Sequence, residues 1–164
     1  MVLEVEHDAD SSLILDARYF PILITRWIGK PTRPLAEHYF RWHDAMLERA
    51  DFEETKVVHV TDATRAKQPD PPVRKYVGEA SNERIRHNQT AINAYIALES
   101  AMVRGVLTVI GWVMGDNRSK MTTTPSLAAA LELALIDLDR NKIARPRGLD
   151  ASRYEQSNVM SAAS

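Results

Sequence analysis

The residues of this chain best suited to chemistry gather between Lys56 and Tyr76: His59, Thr61, Asp62, Thr64, Lys67, Asp70, Arg74 and Lys75. A histidine beside a carboxylate can act as a general base near neutral pH, and His43, His59 and Asp62 supply those types. Covalent catalysis also needs a nucleophile fixed beside the base, and the spacing places none there. His59 alternates within an apolar run, and His43 flanks the apolar row of a helix. Both therefore read as structural, and the chain reads as a non-enzyme.

Metal and phosphate chemistry fare no better. His38 and His43 are five positions apart, which puts them on different faces of a helix, whereas helical zinc ladders use a spacing of four. Asp62, Asp70 and Glu79 surround one loop and read as solvated acids. The absence of cysteine excludes disulfides, thiolate nucleophiles and cysteine metal sites. No glycine-rich phosphate cradle is present. A helix opening at Pro72, flanked by Lys67, Arg74 and Lys75, offers a dipole to an anion, but the same residues make an ordinary solvated basic face. No metal and no cofactor is expected.

The elements that carry these residues follow from periodicity and punctuation. Ser12–Asp16 and Ile22–Ile28 read as a leading hairpin, broken by Ala17–Pro21 and ended by Gly29-Lys30-Pro31. Thr32 caps a helix over Pro34–Ala50, where Leu35, Tyr39, Trp42 and Met46 form one apolar row. Lys56–Val60 is a buried strand that stops at Thr61–Thr64, and a polar loop leads to a helix over Pro72–His87. Ala91–Leu98 is a core strand. Ala101–Met114 is a helix that is apolar nearly all round. Lys120–Thr123 is an edge strand, and Ser126–Asn141 is a final helix announced by Thr124-Pro125. Strands alternating with helices imply a mostly parallel sheet with right-handed crossovers.

This order, β-β-α-β-α-β-α-β-α over residues 11–143, resembles the STAS domain, the fold of bacterial anti-sigma-factor antagonists and related STAS-SEC14-like proteins. The resemblance implies a single α/β domain with a mixed, mostly parallel sheet covered by helices. In that family a central strand ends near an acid or amide, here Val57-Val58-His59-Val60-Thr61-Asp62. A loop then reaches an Asp-Ser-Ser-Gly-like sequence whose first serine is phosphorylated by a partner kinase. Asp70-Pro71-Pro72-Val73 stands at that place in this chain. Both hydroxyls are replaced by proline, so the resemblance implies an interaction module without the usual phosphorylatable serine.

Composition agrees with a regulatory module that binds protein. A length of 164 residues suits about one domain. A net charge of −1 supplies no bulk attraction to DNA or acidic membranes, so nucleic acid is not an expected partner. The longest apolar run, Ala101–Gly115, contains Arg104 and is shorter than the ~20 residues of a membrane span. The acidic N-terminus lacks the order of a signal peptide, which fits a cytoplasmic protein. In strand-ended α/β sheets, partners meet the carboxyl ends of strands. The partner surface is therefore placed on Asp62, Thr64, Asp70, Arg74 and Lys75. Homodimerisation is placed on Met102, Val106, Val109, Trp112 and Val113 of the apolar helix. The alternative is a small-molecule or lipid-binding protein with an apolar pocket between sheet and helices. Residues 144–164, polar and small, read as a flexible tail.

Overall fold

The computed structural model describes residues 3–87, 90–99 and 121–154. A six-stranded sheet carries its strands in chain order. β1 (Leu3–Asp8), β2 (Ser11–Asp16) and β3 (Ile22–Gly29) form an antiparallel meander. β4 (Val57–Ala66), β5 (Ala91–Ala97) and β6 (Met121–Thr124) continue it in parallel. The helices described are α1 (Arg33–Phe52), α2 (Pro71–His87) and α3 (Leu127–Arg140).

Side-chain alternation divides the strands between two cores. Ile22, Ile24, Val58, Val60, Tyr95 and Ala97 face α3, which answers with Leu127, Ala130, Leu131, Ala134 and Leu138. Leu13, Leu15, Leu23 and Val57 face the other way, onto Leu35, Trp42 and Ala50 of α1. The apolar row of α1 was legible from its spacing, and Thr32 caps the helix by accepting a hydrogen bond from the Leu35 amide at 3.5 Å. α2 packs beside α1: the Phe40 and Tyr76 rings meet edge to face at 5.8 Å, and Arg84 forms a two-pronged pair with Asp44 at 2.6 and 2.7 Å.

The leading hairpin is in fact a meander, because Leu3–Asp8 adds an outer strand. Its alternation is masked by Glu4 and Glu6, which lie 3.2 and 3.9 Å from His38 of α1. β4 runs on through the segment expected as a loop. Thr61 finds Thr25 (3.0 Å) and Asp62 finds Arg26 (2.9 Å) on the neighbouring strand, so these polar residues are paired across the ladder rather than solvated. The final helix is capped by Ser126, whose hydroxyl accepts from the Ala129 amide at 3.1 Å, and not by Thr124. Thr124 instead ends β6, the edge strand.

The chain from 144 to 154 packs against the domain instead of leaving it. Ala151 and Tyr154 are buried beside Ile22 and Ile24, and the Tyr154 hydroxyl donates to Asp16 at 2.9 Å. Asp16 is fully buried and is also held by the Arg18 guanidinium at 2.8 and 3.0 Å. Gly29 closes β3 with φ +78°, a left-handed conformation that favours glycine. A Cβ there would lie 2.9 Å from the Asp10 carbonyl, so the β1–β2 turn can sit close. The apolar helix expected over 101–114, with Met102, Val106, Val109, Trp112 and Val113, lies outside the described residues.

Candidate functional site

The carboxyl ends of β3 and β4 bring the expected partner residues to one corner, but not all of them to its surface. Alternation turns Asp62 inward, where it is 3% exposed. One carboxylate oxygen accepts from Arg26 Nε at 2.9 Å. The other accepts from the Thr64 amide and hydroxyl at 3.0 and 2.6 Å. Asp62 therefore braces the end of β4 from inside and is not an outward contact, while Thr64, half-buried, holds it there. Asp62 was placed outside because the segment was read as a loop.

Asp70, Arg74 and Lys75 do reach the surface region at the start of α2. Asp70 is exposed and holds Lys30 Nζ at 2.9 Å, while its carbonyl accepts from the Arg74 amide at 2.9 Å as α2 begins. The Lys67 amide donates to the Gly29 carbonyl at 2.8 Å, which brings Lys67 beside Lys30. Arg65 and Lys67 are exposed and Arg74 is half-buried. Lys75 lies 3.9 Å from Glu79. On this corner the five cations Lys30, Arg65, Lys67, Arg74 and Lys75 outnumber the acids Asp10, Asp70 and Glu79, although the chain as a whole carries −1. Sequence reasoning missed Lys30 and Arg26. Arg26 had left a signal, since a charged residue between Ile24 and Ile28 of a strand calls for a partner across the sheet.

His43 and His59 come together, but without Asp62. His59 projects from the opposite face of β4 and stacks on His43 of α1 with ring centroids 4.7 Å apart and planes 25° apart. Burial pushes His59 down to about 3, and the adjacent His43 adds to the effect. Burial also lowers His43, against an opposing pull from Asp44. The His43 Nδ1–Asp44 Oδ1 separation is 3.5 Å and the alignment makes no hydrogen bond, so His43 Nδ1 and His59 Nε2 are both shielded and neither is hydrogen-bonded. Such a pair is poorly set for proton transfer to a substrate, and the general-base arrangement of His59 with Asp62 is not formed.

The three carboxylates weighed for a cation are dispersed: Asp62 onto Arg26, Asp70 onto Lys30, and Glu79 towards Lys75. Among the described residues no cluster of three or more acids and histidines could hold a metal ion, and no helix is long and apolar enough to cross a membrane. At the carboxyl ends of β5 and β6 a recess of about 400 Å³ is lined, among the described residues, by Leu98, Glu99, Thr123, Thr124 and Pro125.

No protein-family model and no curated protein matches the chain. Among solved structures it is similar to an uncharacterised protein of the DUF3478 family from Shewanella loihica PV-4, described as having a SpoIIAA-like fold. The two are 12% identical, the match covers 81% of this chain and 92% of that one, and the TM-score is 0.47. The chain's own topology is that of a single α/β domain: a meander feeding a parallel sheet in chain order, with helices on both faces.

Proposed function

We propose that this protein is a non-enzymatic, cytoplasmic protein-interaction module whose partner docks at the carboxyl ends of β3 and β4 and the start of α2. The observation that carries the reading is the cationic excess of that corner. Lys30, Arg65, Lys67, Arg74 and Lys75 stand among Asp10, Asp70 and Glu79 in a chain of nearly balanced charge. Complementary potentials steer association and select partners, so the partner presents an acidic segment. Asp70 orients Lys30, and the Asp62–Arg26–Thr64 brace keeps the strand end rigid beneath it. Pro71 and Pro72 open α2 where an Asp-Ser-Ser-Gly-like motif would carry a hydroxyl, so binding at this corner is not switched by phosphorylation there.

The test is recovery of crosslinked partners from the native cell by the wild-type protein and by an Arg74→Glu, Lys75→Glu variant. A partner lost with the variant, at unchanged melting temperature, supports the surface; the same partner recovered equally by both removes it. Self-association through Met102, Val106, Val109, Trp112 and Val113 belongs to this reading because the sequence of that stretch, spaced as a helix, would be apolar on more than one face. Light scattering that finds a monomer at micromolar concentration removes the dimer.

A further inference from the structure

We propose that the stacked His43–His59 pair is an acid-sensitive latch: while both rings are neutral it holds α1 to β4, and protonation of His59 loosens the α1–α2 layer from the sheet. Buried polar atoms in folded proteins nearly always find hydrogen-bond partners, yet His43 Nδ1 reaches only the misaligned Asp44 carboxylate at 3.5 Å and His59 Nε2 has no hydrogen bond, on two rings whose centroids are 4.7 Å apart. A proton on His59 would put a shielded charge against the His43 ring with no carboxylate beside it.

The surroundings supply one counter-charge, Asp44 at 3.5 Å from His43 Nδ1, and none beside His59. From α1, the Tyr39 ring lies 5.7 Å from His43, and burial raises its hydroxyl to about 12, so it stays neutral. Asp44 lies nearest, but both its oxygens already accept from Arg84 of α2. The Arg84 cation opposes a second positive charge beside it. Tyr76 of α2 touches Phe40 rather than either imidazole. On the strands, Thr25 and Thr61 share that face and bond to each other at 3.0 Å, and they carry no charge. Arg26 and Asp62 pair on the opposite face. His38 sits elsewhere on α1, against Glu4 and Glu6.

The sign follows from linkage. Both rings are held below the usual histidine range, so between about pH 6.5 and the folded-state value the unfolded or opened chain binds protons that the closed form refuses. Stability is complete above about pH 6.5 and falls with acid, up to roughly tenfold in the opening constant per pH unit for each ring. Separation of α1 uncovers Leu15, Leu23 and Val57, so acidification becomes exposure of an apolar sheet surface.

Hydrogen–deuterium exchange read by mass spectrometry, at pH 7.5 and pH 5.5 and corrected for intrinsic rates, tests this on the whole chain. Peptides of α1 (33–52) should lose at least about tenfold more protection on acidification than those of α3 (127–140). His59→Leu and His43→Phe, made singly, should each shrink that difference; His38 is kept in both, so its contribution cancels. Equal responses of α1 and α3 in the wild type overturn the latch, even if neither variant folds. A wild-type acid response retained in a folded His59→Leu protein overturns it as well.

Discussion

The two faces of the sheet are built to different standards. On the α3 face, apolar side chains meet apolar side chains, and each buried polar group is used. Asp16 takes hydrogen bonds from Arg18 and Tyr154, and Asp137 takes them from Tyr95 (2.5 Å) and Asn93 (2.8 Å). On the α1 face, the apolar packing of Leu13, Leu15, Leu23 and Trp42 gives way at β4 to two imidazoles with unpartnered nitrogens. A buried polar group costs little when satisfied and about 1–3 kcal/mol when not. The α3 face is therefore the stable foundation of the domain, and the α1 face is where its stability can be moved.

Four substitutions probe that difference, and the largest effect is expected on the α3 face. Leu131 is fully buried there, and Leu131→Ala should cost about 3 kcal/mol in urea unfolding, the cost of a core cavity. Tyr154→Phe keeps the ring against Tyr19 but removes the hydroxyl bonded to Asp16, leaving a buried carboxylate short of a donor. It should cost about 1–2 kcal/mol, and a loss near zero would mean that the segment after α3 contributes no hold. On the α1 face the sign reverses. His59→Leu replaces an unsatisfied ring and should stabilise by about 1 kcal/mol at pH 7, and by more at pH 5, when unfolding is followed at both. Lys75→Glu on the exposed corner should change stability by less than about 0.5 kcal/mol while weakening partner binding. A large stability loss there would show that the corner is part of the scaffold.

Much of the fold was legible because long, strongly patterned segments carry their own signal. Leu35, Tyr39, Trp42 and Met46 announced α1, and Leu127, Leu131, Leu135 and Leu138 announced α3. What was not legible depends on contacts made across the sheet. Thr61, Asp62 and Thr64 look like a loop until Thr25 and Arg26 stand opposite them. Leu3–Asp8 looks like an acidic leader until it pairs with β2 and finds His38. Residues 144–154 have the composition of a tail, yet Tyr154 reaches a carboxylate 138 positions earlier in the chain. The site suffered from the same blindness. Of its expected contacts, Asp70, Arg74 and Lys75 belong to the surface region and Thr64 is half-buried, whereas Asp62 turned inward because strand alternation, not loop geometry, set its direction.

The contrast between the faces is tested most directly by a proton NMR titration of the histidine ring resonances, with His43→Phe and His59→Leu used for assignment. A shielded, unpartnered His59 should show no titration in the folded protein from pH 7.5 down to roughly pH 5, well below the ordinary histidine midpoint. A midpoint near 6.5 for His59 would mean that water or a partner reaches its ring, and the α1 face would then be no different from the α3 face.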